Sequence, residues 1–309
     1  MQGLVVKSTG SSYHVFLNEG SVVDCHVKGN FRIKGIRSTN PVAVGDRVEV
    51  ERQQDGTNWI VDILDRKNYI IRRSTNLSKQ SHILAANIDL AALIVTLHHP
   101  VTSLTFIDRF LATAEAYRVP ALLIFNKSDL LTEEELQELA ETRQLYENIG
   151  YQTVATNAKQ VEKTKELLLP LLKGKITLLS GNSGVGKSTI LNALLGEERA
   201  KTGTISSVHD KGMHTTTFSE MYQLADCHTW LIDTPGIKGF GSLDMQKEEM
   251  SHYFKEIFLE SRHCRFGNCT HTGEPQCAVL EAVEDGRIAA SRFNSYLSML
   301  GDIEEGKYR

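Results

Sequence analysis

The sequence predicts a three-part protein in which a mostly parallel α/β domain lies between an N-terminal β-barrel and a C-terminal helical domain. Short strands separated by turn residues fill residues 1–72 and predict an OB-like β-barrel. Buried strands alternate with amphipathic helices over residues 73–244, which is typical of a parallel sheet. Helical periodicity returns over residues 245–309, where a cluster of cysteines and histidine predicts a bound metal.

Composition excludes a disordered, fibrous or disulfide-stapled protein. The 309 residues are 41% hydrophobic and 23% charged, which is enough for two or three packed cores. No apolar run approaches the roughly 20 residues that cross a bilayer, so we expect a cytoplasmic protein with no membrane partner. The net charge of −4 is uneven, because residues 1–80 carry 12 basic and 8 acidic side chains whereas residues 81–309 carry 22 and 30. A positive front on an acidic body favours nucleic-acid binding at the N-terminal end.

The predicted barrel contains four short strands bounded by turn residues. They cover residues 3–7, 12–16, 22–27 and 47–51. Residues 44–48 resemble the tight turn that feeds a strand in OB barrels. Five Lys and Arg side chains over residues 65–79 indicate a basic connector. Cys25 and Cys227 fall in predicted strands and are expected to be small buried side chains.

The α/β part alternates strands with helices. Strands are predicted at residues 90–97, 121–125, 151–155, 175–179 and 229–232. The first is nearly all apolar, as expected of a strand covered on both faces. One helix is predicted over residues 103–118, and another begins at Thr132, where Glu135 completes a capping box. The apolar face of that second helix consists of Leu136, Leu139, Tyr146 and Ile149.

A glycine-rich loop follows the strand at 175–179 and precedes a helix predicted over residues 189–195. Residues 181–188 match the G-x-x-x-x-G-K-[ST] phosphate-binding loop, whose amides converge on phosphate at a helix N-terminus. Lys187 would reach the β and γ oxygens, and Ser188 would bind Mg²⁺. An accidental glycine-rich turn is the alternative, which the flanking strand and helix disfavour. The predicted nucleotide-binding residues here are Ser180, Gly181, Asn182, Ser183, Gly184, Val185, Gly186, Lys187 and Ser188.

Two further motifs indicate which nucleotide binds at this loop. The N-K-x-D tetrapeptide Asn126, Lys127, Ser128 and Asp129 follows a strand at its carboxyl end, where ligands of open α/β sheets gather. The Asp129 carboxylate could accept two hydrogen bonds that guanine offers and adenine does not, so it is expected to select guanine. Asn126 is expected to tie this loop to the phosphate loop, and Lys127 to lie along the base and ribose. In the D-T-P-G segment at 233–236, Asp233 is the expected Mg²⁺ contact and Gly236 the expected γ-phosphate contact.

These motifs occur in an order that is rotated relative to a Ras-like G domain. The guanine loop at 126 precedes the phosphate loop at 181, which a Thr-rich loop at 212–217 follows. This rotation, the barrel in front and the Cys-rich tail resemble the circularly permuted ribosome small subunit-dependent GTPase A family over essentially the full chain. The resemblance implies a circularly permuted P-loop G domain in an α/β fold, and a bacterial GTPase that acts in late maturation of the 30S subunit. It further implies that this subunit, including its 16S rRNA, is the partner and stimulates GTP hydrolysis by a monomeric protein.

The residue that activates water is less evident. Many GTPases have glutamine directly after the D-x-x-G glycine, but this chain has Ile237, so intrinsic hydrolysis is expected to be slow. Resemblance to the family's threonine triplet makes Thr216 the residue that completes the Mg²⁺ shell. The same resemblance makes His214 the residue that orients or deprotonates water once a partner fixes the loop; a solvated loop histidine is an equal alternative. Because the segment after Gly236 leads directly into the C-terminal domain, nucleotide state is expected to pass along this covalent connection.

The C-terminal cluster offers three thiolates and an imidazole within fourteen residues, the ligand set of a closed tetrahedral zinc site. Its members are Cys264, Cys269, His271 and Cys277. Four protein ligands leave no open position, so one structural Zn²⁺ is predicted. The spacing departs from C-x₂-C fingers but resembles the zinc knuckle of the permuted family. His263 competes with His271 as the imidazole ligand, and free buried cysteines are the alternative to a metal.

Aromatic and basic side chains of the barrel suit RNA, because they stack on bases and neutralise phosphates. Each aromatic is individually more typical of strand packing, whereas the positive charge of the region favours RNA. The set is Tyr13, Phe16, Phe31, Trp59, Tyr69, Lys28, Arg32, Lys34 and Arg37. The sequence is also compatible with two other classes: a GTP-dependent RNA- or ribosome-binding factor whose hydrolysis is incidental, and a P-loop kinase, which the guanine loop disfavours.

Overall fold

A computed structural model describes the parts of the chain that carry the fold. The described residues are 1–9, 12–27, 41–73, 81–197, 219–233 and 245–304. Among them, no helix combines the length and the apolar character that crossing a membrane requires.

Five N-terminal strands form a closed barrel. They are β1 (Gln2–Ser8), β2 (Tyr13–Leu17), β3 (Val22–Val27), β4 (Arg47–Arg52) and β5 (Asn58–Ile63). Pairing runs β1-β2-β3-β5-β4 and returns from β4 to β1, with β3 and β5 parallel and the other pairs antiparallel. Inward residues such as Val15, Cys25 and Ile60 are fully buried in the barrel core. The predicted OB-like barrel is therefore confirmed, and β5 is the strand that the sequence did not indicate.

The predicted basic connector at 65–79 is wrong over part of its length. Residues Tyr69–Arg73 form β6, which pairs antiparallel with β7 (Ser81–Ala86). Ile70 is fully buried, so the short apolar run of β6 outweighs the basic residues around it. Lys79 lies outside the described residues.

Arg66 lies just before β6, and its guanidinium group binds the turn that precedes β4 of the barrel. Both oxygens of the buried Asp46 carboxylate accept hydrogen bonds from Arg66, from Nε and Nη2 at 2.6 Å each. Burial raises the pKa of Asp46, and the Arg66 charge opposes that rise. From the side of the α/β domain, the Asn87 side chain donates to Gly45 O at 2.9 Å. The turn at residues 44–48 is thus fixed from both sides.

The central sheet has six strands in the order β10-β9-β8-β11-β13-β12. They are β8 (Leu90–Val95), β9 (Ala121–Phe125), β10 (Gln152–Ala155), β11 (Ile176–Ser180), β12 (Glu220–Gln223) and β13 (Trp230–Asp233). All pairs are parallel except β12 with β13. Lys7 of β1 pairs with Glu220 of β12, where their side chains also form an ion pair at 3.0 Å, so barrel and central sheet are continuous.

Helices cover both faces of this sheet. They are α1 (Leu104–Ala116), α2 (Glu133–Ile149), α3 (Val161–Leu172) and α4 (Lys187–Leu195). Alternate residues of β8 enter the two cores, since Leu93 packs with α1 and α2 whereas Ile94 packs with α3 and α4. The capping box of Thr132 and Glu135 is present. On the apolar face of α2, Leu139 and Tyr146 are buried, but Leu136 is 43% exposed.

The C-terminal part is helical, as predicted. A 3₁₀ segment (Lys247–Tyr253) precedes α5 (Lys255–Ser261), α6 (Ala278–Glu284) and α7 (Ala290–Glu304). These elements enclose their own apolar cluster, to which α1 contributes Ala112. The helical part is therefore packed directly on the α/β domain.

The expectation that Cys227 is a buried strand residue is wrong. Cys227 is exposed in the turn between β12 and β13, with φ of 59°. Asp226 stabilises that turn by accepting hydrogen bonds from the amides of His228 and Thr229 at 3.1 and 2.9 Å. β12 ends at Gln223 because the chain must reverse there to pair with β13.

Candidate nucleotide and metal sites

The phosphate loop lies between β11 and α4, as the sequence predicts. Gly184 and Gly186 adopt positive φ of 84° and 94°, a conformation that favours glycine. Val185 between them is fully buried and anchors the loop in the core under α3 and α4. The loop therefore passes directly into the N-terminus of α4, where its amides can face a phosphate group.

Asn126 ties the guanine loop to the phosphate loop. It follows β9 and is buried, and its Nδ2 donates to Val185 O at 2.9 Å. A Cβ built on Gly186 would collide with the same Nδ2, so residue 186 must be glycine for this contact to form. The two loops, about sixty residues apart in the sequence, meet at this hydrogen bond.

Lys127 and Asp129 lie next to Asn126 on the guanine loop. Lys127 has φ of 62°, and its Nζ donates to His99 O at 2.7 Å. Asp129 belongs to a short 3₁₀ turn, and one of its carboxylate oxygens lies 3.5 Å from Lys159 Nζ. Ser128 Oγ donates to Thr156 O at 3.2 Å. Both predicted base contacts are thus held at the carboxyl edge of the sheet.

A third loop, which carries no recognisable sequence motif, completes this edge. Residues 156–159 follow β10, the neighbour of β9. The Asn126 side-chain oxygen accepts hydrogen bonds from Thr156 Oγ1 and from the amide of Ala158, both at 3.1 Å. Lys159 approaches Asp129 from this loop. The available signal was positional, because the loop follows a strand adjacent to the guanine-loop strand.

Lys187 and Asp233 bring the phosphate loop to the end of β13. The Lys187 ammonium donates to an Asp233 carboxylate oxygen, and the two side chains are only 18% and 14% exposed. Ser188 follows in the first turn of α4. The predicted phosphate-binding lysine, Mg²⁺-binding serine and Mg²⁺-associated carboxylate thus lie together, and this set fits a magnesium nucleotide.

The remaining residues of the phosphate loop surround this centre. Ser180 is buried at the end of β11, and Asn182 O accepts a weak hydrogen bond from the Val185 amide at 3.5 Å. Ser183 and Gly184 are exposed, as expected of the outer side of a phosphate cradle. His214, Thr216, Gly236 and Ile237 lie outside the described residues, so their predicted roles remain predictions.

The predicted zinc ligands converge in the C-terminal part. The ligand atoms of Cys264, Cys269, His271 and Cys277 all lie within 4.8 Å of one another. His271 Nδ1 lies 3.4 Å from Cys277 Sγ and 3.7 Å from Cys264 Sγ, and the two sulfurs are 3.9 Å apart. A tetrahedral site with Zn–S bonds of about 2.3 Å has ligand edges of about 3.8 Å, so the four residues fit zinc.

Burial lowers the pKa of His271, which favours the neutral imidazole that binds metal. Nδ1 is the nitrogen that faces the thiols, whereas Nε2 is buried and has no hydrogen-bond partner in the described part of the chain. The His271 ring lies beside Tyr296, with ring centroids 6.0 Å apart, and the Tyr296 hydroxyl donates to Thr270 O at 2.8 Å. His263 is not part of the cluster.

The candidate RNA-binding face is described only in part. Tyr13 is buried in the barrel core, and Phe16 packs edge-on against Trp230 with ring centroids 5.2 Å apart. Both therefore have packing roles. Tyr69 is 40% exposed, and Trp59 lies beside His26 on the barrel surface, with ring centroids 5.7 Å apart. Lys28, Phe31, Arg32, Lys34 and Arg37 lie outside the described residues.

Comparison with known proteins gives consistent matches over the whole chain. The family model for the RsgA GTPase matches residues 63–243, and the model for the RsgA N-terminal domain matches residues 2–60. A Bacteroides thetaiotaomicron protein named small ribosomal subunit biogenesis GTPase RsgA 2 is 59% identical over 100% of this chain and 99% of its own. A Porphyromonas gingivalis protein named small ribosomal subunit biogenesis GTPase RsgA is 56% identical over the same shares.

Two crystal structures are also similar. YjeQ from Thermotoga maritima has a TM-score of 0.76 and 34% identity over 97% of each chain. YloQ, described as a circularly permuted GTPase, has a TM-score of 0.76 and 26% identity over 100% of this chain and 96% of its own.

Proposed function

Because the chain belongs to the family of RsgA GTPases, we propose that it hydrolyses GTP on the small ribosomal subunit and acts late in that subunit's maturation. The chain is a GTPase with a circularly permuted G domain. Relatives that match it over nearly their full length carry small ribosomal subunit biogenesis in their names, which supports the proposed partner. The observation that carries the proposal is the hydrogen bond from Asn126 to Val185, which makes one pocket of the guanine and phosphate loops.

In this pocket Asp129 would bind the guanine edge and Lys127 would lie along the base. The amides of residues 181–188 would surround the β-phosphate, while Lys187 neutralises the β and γ oxygens. Ser188 and Asp233 would hold Mg²⁺, which neutralises charge that develops on the phosphates. Gly236 would contact the γ-phosphate through its amide. Positioning and electrostatic stabilisation of this kind supply most of the catalysis in phosphoryl transfer.

The attacking water would be oriented by His214, with Thr216 completing the Mg²⁺ shell. Ile237 carries no hydrogen-bonding group at the position that holds a glutamine in many GTPases. Hydrolysis by the isolated chain would therefore be slow, and the ribosomal subunit would accelerate it by fixing His214 next to the water. The resemblance to the family's threonine triplet supports these two roles.

The N-terminal barrel and the C-terminal domain would support binding to the ribosomal subunit. One structural Zn²⁺ bound by Cys264, Cys269, His271 and Cys277 would stabilise the fold of the C-terminal domain. The barrel would contact 16S rRNA through its basic side chains. The three functional units of a monomeric, cytoplasmic protein would be residues 1–72, 73–244 and 245–309, except that β6 (Tyr69–Arg73) pairs with β7 and therefore belongs with the second unit.

GTP turnover measured with and without purified 30S subunits tests the proposal. We expect 30S subunits to raise kcat by about tenfold or more and 50S subunits to leave it unchanged, because only a matched surface fixes the catalytic loop. The His214→Ala variant should lose this stimulation while it retains its affinity for GDP. Binding to 30S subunits without stimulation would instead favour a factor whose hydrolysis is incidental, and equal turnover of ATP would exclude guanine selection.

A further inference from the structure

The loop at residues 98–102 contacts both nucleotide-binding loops. Its carbonyl at His99 accepts the 2.7 Å hydrogen bond from Lys127 Nζ. Pro100 packs against the phosphate loop, since its ring carbons lie 3.6 Å from the position a Cβ would take on Gly184. Inside the loop, Thr96 Oγ1 donates to Pro100 O at 2.5 Å and the Thr102 amide donates to Thr96 O at 2.9 Å. The loop is thus held tightly against the nucleotide site.

This loop leads directly into α1, whose N-cap is Ser103. On the side that faces the C-terminal helices, α1 carries Asp108, which is completely buried. Asp108 Oδ1 accepts hydrogen bonds from Arg292 of α7 at 2.7 Å and from Tyr146 of α2 at 2.8 Å. Arg292 is 1% exposed and also binds Glu256 of α5 through Nε at 2.7 Å. A buried charge network therefore joins α1 to the C-terminal domain.

Polar contacts surround this network on both sides. Arg109 donates to Ser298 at 3.0 Å and forms an ion pair with Asp302. Glu115, the penultimate residue of α1, pairs with Lys255 at 3.0 Å. Because a buried ion pair loses its compensation when one partner moves away, the C-terminal helices must follow any displacement of α1. The helix itself is a rigid element of 13 residues.

We propose that α1 transmits nucleotide occupancy to the C-terminal domain, from the loop at 98–102 through the Asp108–Arg292 pair. Lys127 would have different contacts with and without bound nucleotide. Its ammonium group bonds His99 O in this structure, and the same group is expected to lie along the base when a nucleotide binds. This route differs from the covalent connection through residues 234–244 that the sequence suggests. It goes beyond the proposed action on the ribosome and needs no ribosomal subunit to operate.

Hydrogen exchange of the full chain with and without GDP tests this route. We expect GDP to slow exchange of the amides in α1 and α7 by about fivefold or more, in line with typical coupling strengths. In the double variant Asp108→Leu with Arg292→Met, which replaces the charges by apolar groups, α1 should keep this response and α7 should lose it. GDP affinity should stay near that of the native chain, because neither residue lies in the pocket.

A matched control interrupts the covalent route instead. Two Gly-Ser pairs inserted between Ser242 and Leu243 lengthen the connection and should leave the α7 response intact. The inference is overturned if α7 in the native chain is indifferent to GDP, if its response survives in the double variant, or if the insertion abolishes it. Should the double variant fail to fold, Arg292→Lys keeps the positive charge but cannot bond Asp108 and Glu256 at the same time, and it should reduce the α7 response; an unchanged response would equally contradict the proposal.

Discussion

Replacing Gly186 by alanine should separate the two halves of the nucleotide pocket. Gly186 has φ of 94°, and a Cβ there would collide with the Asn126 amide group that bonds Val185 O. The left-handed conformation costs a non-glycine residue about 1–2 kcal/mol, and loss of the hydrogen bond costs about 1 kcal/mol. In the free protein the phosphate loop can relax to relieve this strain, but GDP binding requires the loop to return to its native conformation. The cost of about 2–3 kcal/mol is therefore expected to appear as a roughly 30- to 160-fold loss of GDP affinity.

Titration with a fluorescent GDP analogue measures this loss, and Gly196→Ala is the matched control. Gly196 is the C-cap of the same helix with φ of 75°, but no other atom lies within 4 Å of the position that a Cβ would take there. The control should therefore lose about 1 kcal/mol of folding stability from backbone strain and bind GDP within about threefold of the native affinity. If folded Gly186→Ala also bound GDP within threefold, the contact between Asn126 and the phosphate loop would not govern binding.

Three further changes test the supporting structure. Arg66→Ala leaves the buried Asp46 carboxylate with the Ala43 amide as a donor but without its charge partner, so the free energy of unfolding in urea should fall by about 3–5 kcal/mol, and a negligible change would contradict the ion pair's role. Cys277→Ser should abolish stoichiometric zinc in elemental analysis, and a chelator should then lower the melting temperature of the native chain but not of the variant; equal zinc content in both would exclude this ligand set. Hydrogen bonds from the Thr229 side chain, together with the Thr229 and His228 amides, lower the pKa of Asp226 below its ordinary 3.8, so they stabilise the turn above that pH and weaken as the pH falls through the folded pKa. Asp226→Ala should therefore destabilise the chain by about 1 kcal/mol at pH 7 and progressively less below pH 4, whereas a pH-independent difference would rule out this titration.

Local pattern was sufficient for most strands of the barrel and the central sheet, but β5 (Asn58–Ile63) was missed in spite of its own β-type residues. Val22–Val27 is the strand that the alternation predicts, and Thr132 caps α2 as its capping box requires. β8 ends two residues earlier than its apolar run because Thr96 begins the turn that its side chain closes on Pro100. β6 was missed because its basic neighbours obscured a short apolar run, and its partner strand β7 begins only at Ser81.

The candidate site divides in the same way. The phosphate and guanine loops were predictable because each is a contiguous motif whose residue types indicate the ligand that it binds. The loop at 156–159 was missed because only the adjacency of β10 and β9 gives it a role. Asp108 and Arg292, separated by 184 positions, gave no signal at all. Such pairs become meaningful only once the packing of α1 against α7 is known.

The pairing of a guanine-selective carboxylate with the phosphate cradle is tested most directly by calorimetric titration of the native chain with GDP and with ADP in the presence of Mg²⁺. The structure predicts that GDP binds at least about 100-fold more tightly, because adenine leaves the Asp129 carboxylate without its two donors. Equal affinity for the two nucleotides would contradict that assignment.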